Sequence, residues 1–253
     1  MSCSMSYLTY RQLAEGPGHI DNVLSRWNID PMGCSPGKYA AFLHLLNTEN
    51  ILRGRYTNAA KSFLTGYLYE QAATSAEDQD SKRGSLERSR SAFREHLEQR
   101  SPEPEVAYYA RLAYGLISQA LGIEWSRVES AYLSAFEHLP DRGESIQAIV
   151  QYYCMKQEWP VAYIYSMILR HRFFGRSLSS FTRWGFDARL YTWVVLHQHI
   201  AICSRFGKQE EAWRDYQVLL RCTELSPQQF GPGEIEKIRS KRSTFQNQVI
   251  CQG

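Results

Sequence analysis

No apolar run in this chain approaches the ~20 residues needed to cross a bilayer. The longest, such as Thr192-Trp193-Val194-Val195-Leu196, are far shorter, so no membrane span is expected. Alternating polar–apolar runs of strand type are missing as well, which argues against a sheet. Proline is sparse, at 9 of 253 residues, and glycine stands at only 16, which excludes collagen-like and wholly disordered classes. Net charge is slight. A formal +3 does not by itself point to nucleic acid, and none is expected as a partner. The six cysteines are Cys3, Cys34, Cys154, Cys203, Cys222 and Cys251. None stand in C-x-x-C spacing, and the nearest pair, 203 and 222, are nineteen residues apart. This argues against a zinc module and against a disulfide framework. Reduced thiols in a cytoplasmic protein are the expectation. The N-terminal MSCSMSYLTYRQL has no basic segment leading into an apolar one, so no secretory signal is expected. Cys251 has only two residues after it, which is not a lipidation box. Lysine is scarce, 7 against 22 arginines, and arginine favours planar contacts to carboxylates, phosphates and rings.

What is present is helix. Val128, Tyr132, Ala135 and Leu139 recur at the spacing of one helical face, and Trp159, Ala162, Ser166 and Leu169 do much the same. Small alanines between larger apolar residues let neighbouring helices approach. Residues 1–36 predict lead-in helices, with Ser35-Pro36 as a helix start. Residues 37–248 predict one helical repeat domain. Within it, 72–85 read as a polar loop, followed by a charged helix from about Leu86 to Arg100. Leu121-Gly122 ends a helix that begins near Pro104. At Pro140-Asp141, Asp141 is placed to cap the next helix, and Glu144, three residues on, to close a capping box. Residues 171–187, HRFFGRSLSSFTRWGFD, read as an aromatic and arginine-rich connector. A basic helix from Glu234 to Gln248 closes the chain.

Two segments carry a repeat signature. In GRYTNAAKSF a turn glycine, Gly54, is followed five residues later by Ala59 and four after that by Phe63. In FGKQEEAWRDYQVLL the same order is Gly207, Ala212, Tyr216 and then Leu219. These residues resemble tetratricopeptide repeats, which implies about four helix pairs of the ~34-residue class. The fold expected is all-α, a right-handed α-solenoid of such pairs. A narrower likeness covers roughly residues 50–245. Glu105–Ala110, Leu121–Trp125, Ala131–Phe136, Pro140–Glu144 and Trp159–Tyr163 occur in that order. They are similar to the helical-repeat region C-terminal to the catalytic domain in bacterial and viral family-2-like glycosyltransferases. Pro140, Arg142, Glu144, Tyr152 and Tyr153 match its Pro-x-Arg-x-Glu motif and Tyr-Tyr-ended helix. The catalytic domain of those enzymes has no counterpart here, so the resemblance implies a binding part without its enzyme.

No catalytic constellation stands out. Asp78-Gln79-Asp80 has a D-x-D form but no strand before it, and a solvated loop is the expectation. His197 and His199 sit at i, i+2, which turns their rings about 200° apart on a helix, so they cannot share a metal. Ser35–Tyr39 fails the phosphate-loop pattern, with Met32 where glycine is needed. No cofactor, metal or nucleophilic set is expected, and no enzyme. Arg142 and Glu144 are candidate partner-binding groups inside a concave groove, or else a helix start with an ion pair. Each pair Tyr108-Tyr109 and Tyr152-Tyr153 is expected to divide its rings between core and groove, with Tyr108 and Tyr152 as candidates. Arg176, Arg183 and Trp184 of the connector complete the candidate surface. The expected function is a non-catalytic scaffold or adaptor holding a protein or peptide partner. The alternative is an accessory or acceptor-recognition component beside a separate glycosyltransferase. Self-association through exposed solenoid ends is a further expectation.

Overall fold

The structure, a computed structural model, describes residues 58–99, 104–176, 188–231 and 233–240. The sequence-predicted lead-in, the Gly54 turn, Arg183, Trp184 and the end of the last helix lie outside them. Among the described residues all regular structure is helical, with no strand. They divide into two compact units, the first ending at Pro140 and the second beginning at Asp141.

In the first unit are α1 (Asn58–Ser75), α2 (Gln79–Glu98), α3 (Pro104–Ala120) and α4 (Trp125–His138), and α1 packs on α2, α2 on α3 and α3 on α4. The apolar stripes explain why. Phe63, Leu64, Tyr67 and Leu68 of α1 meet Phe93 of α2 and Val106, Tyr109, Ala110, Ala113 and Ile117 of α3 in one core. Short connections reverse the chain between helices. The α3 end is a Schellman turn. Gly122 takes φ +72°, and the Ile123 amide donates to the Ser118 carbonyl at 3.0 Å.

The polar loop expected at 72–85 is not a loop. The α1 helix continues through Ser75, and α2 begins at Gln79. Asp78 is its N-cap, accepting from the Ser81 amide at 2.7 Å. These hydrogen bonds hold the Asp78 carboxyl below its ordinary range. The polar residues that suggested a loop are instead the wet face of a helix, joined in part by the exposed i, i+4 pair Arg83–Glu87. Thus the first aspartate of the D-x-D stretch is a helix cap.

Glycines set how closely the helices approach. Ser89 donates to the Gly66 carbonyl at 2.7 Å, and the Phe93 ring would lie 2.9 Å from a Cβ placed on Gly66. The Tyr132 ring of α4 covers Gly115 of α3 in the same way. A third such contact, of Phe173 on Gly143, occurs in the second unit.

The second unit comprises α5 (Glu144–Met155), α6 (Trp159–Phe173), a short 3-10 turn at Ala188–Tyr191, α7 (Val194–Phe206), α8 (Gln209–Leu225), a 3-10 turn at Pro227–Gln229 and α9 (Glu234–Ser240). Packing again runs neighbour to neighbour, from α5 through α8. Gly207 ends α7 at φ +83°, and the Lys208 amide donates to the Cys203 carbonyl. The repeat-signature residues Ala212, Tyr216 and Leu219 are all buried, in a core with Trp193, Leu196, Ile200 and Phe230.

The capping box expected at 141–144 does not form. Glu144 is the first residue of α5, not the third, and Gly143 occupies the cap without a side-chain bond. Asp141 instead accepts from Arg176 at 2.8 Å.

Candidate functional site

The second unit holds two polar clusters. In the first, Arg142 is only 2% exposed and donates through Nε to Glu144 Oε2 at 3.0 Å. Tyr191 binds the same carboxylate, donating to Oε1 at 3.0 Å, and its hydroxyl accepts from the Gly143 amide at 3.0 Å. Burial, then the Glu144 charge, drive the Tyr191 phenol above its ordinary range, so it stays a donor. The helix start is therefore built on a buried ion pair clamped by a tyrosine from 47 residues away.

The second cluster lies between α6, α7 and α8. His199 and Cys203, one turn apart on α7, project from one face, and both are fully buried. The Cys203 Sγ lies 3.3 Å from His199 Nε2. Glu211, in the first turn of α8, brings Oε1 to 3.1 Å from the same nitrogen. Its other oxygen accepts from the Tyr163 hydroxyl at 2.8 Å. Ser166 of α6 lies 2.8 Å from His199 Nδ1. Asp215, one turn beyond Glu211, is held by both arms of Arg170 and puts Oδ2 3.8 Å from His199 Nε2. Cys203, His199 and Glu211 present their ligand atoms within 4.8 Å of one another.

Electrostatics rule out one use of this cluster. Burial, with Glu211 and Asp215 beside it, pushes the Cys203 thiol up to about 12. A nucleophilic cysteine needs a lowered value and access to substrate, and this thiol has neither. Burial also lowers the His199 imidazole, against the pull of Glu211 and Asp215. For Glu211 itself, burial raises the carboxyl, but the hydrogen bonds from Tyr163 and His199 overcome it and hold the group below its ordinary range.

The sequence candidates fare unequally. Arg142 is enclosed and Tyr108 fully buried, so neither offers a surface to a partner in this conformation. The expected division of rings at Tyr108-Tyr109 does not occur, because both are buried. Glu144 is engaged by Arg142 and Tyr191. Tyr152 is half-buried, its ring meeting Tyr153 edge to face, with Lys156 above it. Arg176 is exposed and paired with Asp141. The opposed histidines behave as the helix period requires, His197 exposed and His199 buried. Spacing did not single out the grouping of His199 with Cys203 and Glu211. The available signal was a His and a Cys at i, i+4 with a carboxylate just past the Gly207 turn. Compared with family models, curated proteins and solved structures, the chain shows no significant match.

Proposed function

We propose that this chain is a non-catalytic helical-repeat adaptor that binds an extended peptide segment of a partner protein. One observation carries the reading: half-buried, mutually packed tyrosines and exposed apolar side chains on the same two helices, α5 and α6. Tyr153 stacks on Tyr165 at 6.0 Å with the rings 8° from parallel, and Tyr152 meets Tyr153 at 83°. Met155 is 66% exposed and Ile164 60% exposed on the same two helices. Rigid tyrosines and exposed aliphatic residues provide contact area at low entropic cost, which is what peptide recognition uses. Supporting it, every helix from α1 to α4, and from α5 to α8, packs on its neighbour in sequence, as in tetratricopeptide-like arrays. A right-handed solenoid is the finer form of that proposal.

The test is affinity capture from the native source by wild-type protein and by Tyr152→Ala/Met155→Ser. A stoichiometric partner lost with the double variant, while far-UV circular dichroism is unchanged, supports the reading. Equal capture by both, or none by either, refutes it. The glycosyltransferase-accessory reading rests on the sequence likeness around Pro140, Arg142 and Glu144. In the folded chain Arg142 and Glu144 have a structural occupation at the start of α5, which explains their presence without an acceptor.

A further inference from the structure

We propose that His199, Cys203 and Glu211 form a binding site for a single divalent transition-metal ion, of which zinc is the best match, that ties α7 to α8. The Ser166 hydroxyl donates its one proton to the Tyr163 carbonyl at 2.8 Å. Its contact with His199 Nδ1, also 2.8 Å, must then be made by a proton on Nδ1. A neutral imidazole so arranged leaves the Nε2 lone pair facing inward. Two further electron-rich atoms face it, Cys203 Sγ at 3.3 Å and Glu211 Oε1 at 3.1 Å. When Nε2 also carries a proton it donates to Glu211 Oε1, as in the metal-free chain. A metal ion satisfies all three.

The spacing fits. With bonds of about 2.3 Å to sulfur and about 2.0–2.2 Å to nitrogen and oxygen, tetrahedral ligand atoms stand roughly 3.3–3.6 Å apart. The nitrogen–sulfur and nitrogen–oxygen separations here are 3.3 and 3.1 Å. The ligand set is one thiolate, one imidazole and one carboxylate, a mixture suited to a borderline-soft ion and not to calcium or magnesium. On binding, Cys203 releases its thiol proton to solvent and forms the sulfur–metal bond; the proton that His199 Nε2 shares with Glu211 also leaves to solvent, so that the neutral imidazole and the carboxylate both ligate. The resulting charges cancel, two positive on the ion against one each on Cys203 and Glu211. Asp215 is already neutralised by Arg170 and forms the outer layer. Ser166 fixes the histidine tautomer, the usual task of a group behind a ligand. Glu211 keeps 21% of its side chain exposed and gives the ion its way in, with the fourth position left to water.

Cobalt(II) titration of the full-length, metal-stripped protein reads the site directly, because a thiolate ligand produces a near-ultraviolet charge-transfer band. The expected result is one equivalent bound with that band, displaced by zinc. A variant with the other five cysteines changed to serine keeps it. Cys203→Ser loses it, and Glu211→Gln and Ser166→Ala each bind cobalt about 10–100-fold more weakly. Thermal unfolding with and without zinc follows the same order. A charge-transfer band that survives in Cys203→Ser, or no band at all in the wild-type chain, overturns the proposal. So does wild-type affinity in Glu211→Gln, which keeps the fold's hydrogen-bonding shape.

Discussion

The Tyr132 ring lies against the backbone of Gly115, so that a Cβ there would stand 2.6 Å from Tyr132 Cε1. The ring cannot retreat. It is fully buried, and its hydroxyl donates to Gln119 Oε1 at 2.8 Å.

Gly115→Ala therefore tests whether close approach or helix propensity governs α3. Alanine is favoured in a helix by about 1 kcal/mol. The forced shift of a buried ring costs typically about 1–3 kcal/mol, and more at such a separation. Net destabilisation by urea unfolding is expected. The contrasting variant is Gly84→Ala in α2, where a Cβ meets nothing within 4 Å. It is expected to stabilise by about 0.5–1 kcal/mol.

Tyr191→Phe removes both a donor to Glu144 and an acceptor for the Gly143 amide. A loss of about 1–3 kcal/mol is expected, because buried polar groups are left short of partners. Arg142→Met should cost more, about 3–5 kcal/mol, since it strands a carboxylate. Equilibrium unfolding of the two variants gives the order.

Asp215→Ala breaks the two-armed contact from Arg170 that joins α6 to α8. A cost of about 1–3 kcal/mol is expected, because the arginine left behind is 28% exposed and can turn to water. Glu87→Ala, which breaks the exposed Arg83 pair, should change stability by less than about 0.5 kcal/mol. Thermal melts of both variants make the comparison.

Glu70 gives the first unit a pH signature. Burial pushes its carboxyl up to about 7, against the hydrogen bond from Tyr109. The folded chain thus holds a proton that the unfolded chain releases near its ordinary value. Stability from this group is full below pH 4.5 and is lost as pH rises towards about 7. Glu70→Gln removes that loss. Relative to the parent it should gain about 1–3 kcal/mol at pH 8 and nothing at pH 4. Taking the difference cancels His96, whose imidazole is lowered by burial and whose contribution runs the opposite way, lost as pH falls through its folded value. Urea unfolding at both pH values supplies the check.

Much of the fold was legible because helical periodicity is local. Val128, Tyr132 and Ala135 share a face in the sequence and are all fully buried in the structure. Gly122 and Gly207 punctuate helices where expected, since only a residue without Cβ takes their positive φ easily. One mismatch arose where polarity was equated with loop. The 79–85 stretch is polar because its helix faces water, and Asp78 caps it. The Arg142–Glu144 pair was visible as a pair, but its enclosure depends on Tyr191, whose distance in the chain no local pattern reveals. The His199 cluster was hidden for a similar reason: two of its parts share one helix face, while Glu211 and Ser166 arrive from different helices.

The neighbour-on-neighbour packing bears on how the chain is made. Each helix from α1 to α3 finds its partner in the very next stretch of sequence. Such contacts close small loops, and chains rich in them fold fast. As translation adds roughly 5–20 residues per second, α1 and α2 have time to close as a hairpin before α4 has left the ribosome. A nascent chain halted after His138 should accordingly already shield its α1–α2 core from protease.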